Sequence, residues 1–260
     1  MKLLVAVKQV ASLREDFELS DPQDLPADAL DRQLNEWDAS ALEAAVQLAE
    51  ASAGGEVIAV TVAGEQADEA LRSCLAAGAD RAERVWDPVL ESADPLAVAT
   101  VLGAFAGRER PDLILCGAQS SDAANAATGV ALAGLLDLAH VAVVAGIDRD
   151  GERLTVTREL EGGISEVLRL SLPALLTVQT GINAPRQPTL RQRKQAREKP
   201  IAALTLADLD LSSEDVLRAR GAHLVRLARP PRDGGAARLE GEPAEIASQI
   251  ADIVRTALRT

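Results

Sequence analysis

The sequence predicts an α/β fold: a doubly wound, mostly parallel sheet with added antiparallel hairpins and an extended C-terminal arm. Three observations carry this. Lys2 to Val7 is β-branched and apolar without a break from Leu3 onward, the pattern of a strand buried on both faces of a parallel sheet. Strand-like runs and helix-periodic segments then alternate four times with short connections, the signature of such a sheet. Beyond residue 141 the rhythm changes to apolar runs joined at Asp150-Gly151 and Gly162-Gly163, which are hairpin turns.

After the first strand, residues 11 to 34 are polar and acidic, contain Pro22 and Pro26, and read as a long excursion. Asn35 is a good N-cap, with Asp38 in the first turn, and Trp37, Leu42, Ala45, Val46 and Ala49 form an apolar helical stripe. Gly54-Gly55 ends that segment. A strand over Val57 to Val62 follows. The next helix runs from Glu65 to Ala77, with Ala67, Leu71, Cys74 and Leu75 on one face and Gly78 as its stop. Arg81 to Trp86 is a third short strand. Asp94-Pro95, an N-cap followed by proline at the first helical position, starts a helix through Val98, Val101, Leu102 and Phe105 toward Gly107.

The fourth strand, Leu113 to Cys116, ends at Gly117, and a polar loop leads into an apolar helix carrying Val130, Leu132, Ala133, Leu135 and Leu136. Gln119, Ser120, Ser121, Asp122, Asn125 and Thr128 supply donors and acceptors around the helix start. Free N–H groups and the helix dipole there favour an anion, typically a phosphate. Ligands of doubly wound sheets bind at the carboxyl ends of strands near a switch in strand order. The loop after the fourth strand, Asn35 to Asp38 and the residues after Val62 all suit that place.

Val141 to Ile147, Arg153 to Leu160 and Val167 to Leu172 read as hairpin strands, and Pro173 to Val178 as one more buried strand. Residues 183–199 then hold Arg186, Arg191, Arg193, Lys194, Arg197 and Lys199 against a single acid, Glu198. Residues 200–240 lack sustained periodicity and break at the Pro-Pro and Gly-Gly pairs of 230–235. A last amphipathic helix covers Pro243 to Leu258, with Ile246, Ile250, Ile253, Val254 and Leu258 on one side. A tail with one apolar helix and no core of its own is expected to pack on a partner subunit. The chain thus divides into an α/β unit (1–182), a basic loop (183–199) and an arm (200–260).

Composition narrows the function. A hydrophobic fraction of 47% permits a real core, but aromatics are only 2%, so Ala, Val, Leu and Ile must build it. A formal charge of −13 argues against a general nucleic-acid binder, which needs clustered Lys and Arg. Cys74 and Cys116 lie in apolar surroundings and read as buried thiols. His140 and His223 have no ligand-spaced companions, so a metal site is not expected. The start MKLLVAVKQV is too short for a signal peptide, lacks a cleavage site and soon reaches Arg14-Glu15-Asp16. No apolar run approaches the ~18 residues of a membrane span, and a cytoplasmic protein is expected. G-x-G-x-x-G after the first strand, Walker A and G-x-S-x-G are all absent, and no Ser/His/acid set can be assembled. Acid pairs such as Glu15-Asp16 read as solvated surface. The scaffold is expected to bind rather than to do acid–base chemistry, so the chain is not expected to be an enzyme.

The residues resemble the β subunit of electron transfer flavoprotein over nearly the whole chain. The resemblance rests on LLVAVKQV, LNEWDASALEAAVQL, CLAAGADRAERVW, the CGAQSSDAANAATG loop, and RELEGGISEVLRLSLPALLTVQTGINAPRQPTLRQRKQA. The NEWD and GAQSSD wording is most similar to flavoproteins serving trimethylamine dehydrogenase. The resemblance implies a heterodimer whose α subunit carries the redox-active FAD while the β subunit holds a structural AMP. Electrons would pass from a primary dehydrogenase to a downstream quinone reductase or other acceptor, with no membrane insertion and no nucleic acid. AMP contacts carried over by position are Ala6, Asn35, Glu36, Trp37, Asp38 and Val62. The loop adds Gly117, Ala118, Gln119, Ser120, Ser121, Asp122, Ala123, Ala124, Asn125, Ala126, Ala127 and Thr128, with the phosphate over the N–H groups of 125–128. The family's docking loop maps to 183–199, with Leu190 as apolar anchor and Arg191 among its basic flanks. Basic flanks suit steering, which raises on-rate more than affinity. Glu159 matches a position that contacts the mobile FAD domain of the α subunit. Leu13 stands where many members have an aromatic residue near the flavin.

Three other readings stay open. A bifurcating β subunit would hold a second FAD in place of AMP, but such members resemble D-G-D-T-A-Q-V-G where this chain reads Asp122 to Gly129 as DAANAATG. An adenylate-handling α/β enzyme, such as an ATP pyrophosphatase, would need a Gly-rich loop after the first strand, where this chain has Lys8-Gln9-Val10-Ala11-Ser12. A nucleotide-sensing stress protein would leave the basic loop and the arm unexplained.

Overall fold

The computed structural model describes residues 1–13, 30–52, 54–151, 153–223, 225, 236 and 238–258. The middle of the predicted excursion, with Arg14, Glu15-Asp16, Pro22 and Pro26, lies outside the described residues, as do the side chain of Leu13 and the 230–235 break.

A nine-stranded sheet organises the chain. Strands β1 (Lys2–Ala6), β4 (Glu56–Val62), β5 (Arg81–Val85), β6 (Leu113–Gly117), β7 (Ala139–Asp150), β8 (Arg153–Leu160), β9 (Ile164–Ser171), β10 (Ala174–Val178) and β11 (Ala202–Leu204) lie in the order β11-β5-β4-β1-β6-β10-β7-β8-β9. The first seven of that order pair in parallel, and β8 and β9 extend the sheet antiparallel. The parallel strands read as unbroken apolar runs because both faces are covered. Leu3, Val5, Val57, Ala59, Leu113 and Leu115 enter one core. Their alternates Leu4, Ala6, Ile58, Val60, Ile114 and Cys116 enter the other.

Helices α1 (Glu36–Glu50), α2 (Asp68–Ala77) and α5 (Leu190–Glu198) contribute to the first core, and α3 (Pro95–Glu109), α4 (Thr128–Leu135) and α6 (Ser213–Ala219) to the second. Asp94 caps α3 as expected: its Oδ1 accepts from the Ala97 N–H at 3.0 Å, with Pro95 behind it. Gly78 ends α2 at φ +121°, and an added Cβ there would lie 3.1 Å from Val46. The helix beginning at Glu65 is a 3-10 turn over Glu65–Ala67 before α2 starts.

Several expectations need correction. The excursion of 11–34 has a structured stem, because β2 (Gln9–Leu13) and β3 (Leu30–Leu34) pair antiparallel as a separate two-stranded sheet. Helix α1 stops at Glu50, before Gly54-Gly55. Residues 190–198 are helical rather than a loop, because Thr189 and Gln192 form a capping box. Residues 200–219 join the α/β unit instead of leaving it as an arm: β11 lies at the sheet edge, and Leu206, Leu209 and Val216 are buried in the second core. Helix α7 (Pro243–Ala257) forms where the periodicity predicts it, and Ile250, Ile253, Val254 and Leu258 are all exposed. No helix among the described residues is long and apolar enough to cross a membrane.

Candidate functional site

Read outward from β1, strand order runs β1-β4-β5 on one side and β1-β6-β10 on the other, so it reverses between β1 and β6. The crevice at their carboxyl ends is where open α/β sheets bind ligands. The structure brings the residues singled out above to this edge. Ala6 ends β1 opposite Cys116, Val62 ends β4, and Gly117 ends β6.

Asp38, in the first turn of α1, fixes both strand ends. Its Oδ2 accepts from the Lys8 N–H at 2.8 Å and its Oδ1 from the Gly117 N–H at 2.8 Å. Burial raises this carboxyl to about 6, and the bonds from Lys8, Gly117 and Asn35 offset only part of that rise. A side chain at position 117 is excluded: a Cβ there would fall 2.5 Å from Asp38 Oδ1 and 2.5 Å from the Trp37 Cβ. Gly117 is therefore glycine because β6 and the start of α1 touch.

Asn35 does not cap α1 as expected; its side chain makes no capping bond. It crosses to the loop, where Nδ2 donates to the Gln119 carbonyl at 2.8 Å and Oδ1 accepts from the Ser121 N–H at 3.3 Å. Lys8 closes the loop from the other side, with Nζ 2.6 Å from Asp122 Oδ1 and 3.3 Å from Ser120 Oγ. Burial would raise the Asp122 carboxyl, but the bonds from Lys8 and Ser120 outweigh it and hold it below the usual carboxylate range. Trp37 Nε1 donates to Gln179 Oε1 at 2.7 Å, and the Ala118 N–H donates to the Val178 carbonyl at 2.9 Å, which ties the loop to the end of β10.

Beyond this anchorage the loop is open. Ser121 to Ala127 are exposed, and Glu36 is exposed at the start of α1. Ala124 and Ala126 adopt φ of +49° and +50°, the left-handed region that alanine rarely enters. Ala127, at the N-cap position of α4, offers no side-chain acceptor, so among the described residues the first N–H groups of that helix have no side-chain partner. Gly129 lets the helix sit on the sheet: a Cβ there would lie 2.5 Å from Cys116 Sγ and 2.7 Å from Thr177 Cγ2. These features suit an anionic group with a small-residue approach, and the residues present fit a phosphate. Both cysteines are buried, and burial pushes both thiols up.

The docking candidates lie apart from the crevice, on other elements. Leu190 is 86% exposed at the first turn of α5, with Arg191 exposed beside it. Glu159 is exposed near the β8–β9 turn, paired with Ser165 and flanked by exposed Leu160, Ile164 and Val167. The Lys8 clamp was not read from the sequence, and neither were the roles of Asn35 and Asp38 as loop anchors, because each is a contact across 30 or more positions.

Residues 27–209 match the model of the electron transfer flavoprotein domain. Among known proteins, the chain is 44% identical to electron transfer flavoprotein subunit beta of Methylophilus methylotrophus, covering 98% of each chain. It is 32% identical to the Bacillus subtilis subunit beta, again over 98% of each. With the Homo sapiens subunit beta it shares 36% identity over 82% of this chain and 86% of that one.

Proposed function

The chain belongs to the electron transfer flavoprotein family as a β subunit, and from that premise we propose that it holds AMP structurally in the β1/β6 crevice and pairs with an FAD-bearing α subunit. One observation carries the nucleotide assignment: an anchored loop at the switch in strand order ends on a helix whose leading N–H groups have no side-chain partner among the described residues. The phosphate lies over the N–H groups of 125–128, and Gly117 to Asp122 with Ala6 and Val62 line the approach. Asn35 and Asp38 serve by fixing the loop, since their polar atoms are already engaged by the chain itself. The nucleotide thus ties the ends of β1, β6 and α4 together, while the electrons pass through the partner's flavin. AMP is favoured over a second FAD because residues 122–129 read DAANAATG and lack the bifurcating pattern.

In this reading the chain is an electron-carrier subunit rather than an enzyme, and it works in the cytoplasm. Leu190 is the apolar anchor for a primary flavin dehydrogenase, with Arg191 and its basic neighbours steering the encounter. Glu159 meets the FAD domain of the α subunit, and α7 packs on that subunit. A downstream quinone reductase or similar acceptor takes the electrons. The test is to co-express the chain with its α partner and mix the purified complex with reduced trimethylamine dehydrogenase. Flavin reduction in discrete one-electron steps is expected; a complex whose flavin stays oxidised with this and other flavin dehydrogenases contradicts the assignment.

A further inference from the structure

The basic segment 183–199 is not a uniform set of steering charges. Arg186 is engaged at every face of its guanidinium: Nε lies 2.8 Å from Glu43 Oε2, Nη2 3.1 Å from Glu43 Oε1, and Nη1 2.7 Å from Glu50 Oε1. Its backbone N–H also donates to Glu43 Oε2 at 3.1 Å. Both carboxylates stand on α1, seven residues apart, and Glu43 is buried. Burial would raise the Glu43 carboxyl, but the bonds from Arg186 outweigh it and draw it below its ordinary value. Three residues earlier, Asn183 Nδ2 donates to the Ser40 carbonyl of the same helix at 3.0 Å. The far end of α5 is fastened to α2. Arg72 donates to the carbonyls of Ala196 and Lys199, Ala196 is buried in the first core, and Lys199 Nζ reaches the Ala79 carbonyl at 3.0 Å. A half-open pocket of about 420 Å³ lies between this segment, α1 and α2, bordered by Leu34, Leu42, Arg72, Pro188 and Arg193. The start of the segment borders this pocket, and its fastenings on α1 and α2 hold its two ends.

We infer that Arg186 is a positioning residue for docking: its two-carboxylate clasp on α1 fixes where α5 begins, and so where Leu190 is presented. The inference rests on the docking role proposed above for Leu190. It divides the basic residues of this segment by task. Arg186 and Lys199 are held within the chain, while Arg191, Lys194 and Arg197 have no ion pair among the described residues and remain for the partner. Lysine cannot replace Arg186, because one ammonium cannot present the planar fork that spans two carboxylates.

The test uses the αβ heterodimer carrying Arg186→Gln, Arg186→Lys or Leu190→Ala. Hydrogen exchange of the backbone amides of 187–195 should rise about tenfold in both Arg186 variants and stay at the wild-type rate in Leu190→Ala. With trimethylamine dehydrogenase as donor, KM should rise about fivefold or more in both Arg186 variants with kcat nearly unchanged, a loss of partner binding rather than of the chemical step. Unchanged exchange in Arg186→Gln, or full recovery of KM by Arg186→Lys, overturns the inference and returns Arg186 to the steering charges. A wild-type KM in Leu190→Ala overturns the docking reading alone, since the exchange result tests the clasp without any donor.

Discussion

Gly117→Ala probes the contact on which the site is built. The added methyl would lie 2.5 Å from Asp38 Oδ1, 2.5 Å from the Trp37 Cβ and 2.9 Å from the Trp37 carbonyl carbon, so a backbone as well as a side chain must move. Displacing the start of α1 stretches the 2.8 Å bond between the Gly117 N–H and Asp38, inside a site where Asp38 is buried. Overpacking of this kind costs about 1–3 kcal/mol. Loss of a hydrogen bond to a charged group costs about 1.5–3 kcal/mol more. Restricting the unfolded chain returns about 0.4–1 kcal/mol, which leaves a net loss of about 2–5 kcal/mol. Gly134→Ala is the control, since nothing lies within 4 Å of its added methyl in α4; it should be neutral or stabilising by up to about 1 kcal/mol. Urea unfolding of the heterodimer measures both, and retention of the proposed nucleotide on purification is a second readout. A Gly117→Ala loss below about 1 kcal/mol, with nucleotide fully retained, refutes the close approach of β6 and α1 as the basis of the site.

Three further outcomes are expected. The Asp38 carboxyl is at about 6 in the fold against an ordinary 3.8, so the folded state binds the extra proton between those values. The stability this group contributes is therefore fully present below pH 4 and lost as the pH rises through 6, by up to about 3 kcal/mol. The unfolding free energy of wild type relative to Asp38→Asn should fall across that window, and a pH-independent difference contradicts it. Leu190→Ala should leave the melting temperature unchanged, because the side chain is 86% exposed, while slowing electron transfer from the dehydrogenase; normal transfer kinetics count against the anchor. Deleting 236–260 removes the exposed apolar face of α7 and should weaken α–β association; a truncated chain that co-purifies with the α subunit at full affinity refutes that role.

The sheet was legible because burial on both faces leaves an unmistakable trace. Leu3-Leu4-Val5 and Leu113-Ile114-Leu115 are apolar at every position, and their alternation between the two cores explains why. The strand, loop and helix that carry the candidate site were legible too, since Gly117, the polar loop and the Ala-rich helix follow one another in sequence. Elements whose stability comes from elsewhere were not. The stem strand LDRQL has exposed polar residues between its leucines and gives no apolar alternation. Strand β11 and helix α6 are three and seven residues long, too short for periodicity, and are held by a few side chains such as the partly buried Leu204 and the buried Val216. Helix α5 has one exposed leucine and one buried alanine on a charged background, but Thr189-x-x-Gln192 is a capping box that can be read directly. Asn35 shows the opposite case: a residue suited to a local cap was taken by a tertiary contact with Gln119 and Ser121. Clasps such as Arg186–Glu43, spanning 143 positions, leave no local signal.

The central claim is that this β subunit holds AMP while its partner holds the flavin. Denaturing the purified αβ complex and quantifying the released nucleotides by chromatography tests it most directly. About one AMP for each FAD is the predicted result, and two FAD with no AMP would contradict it.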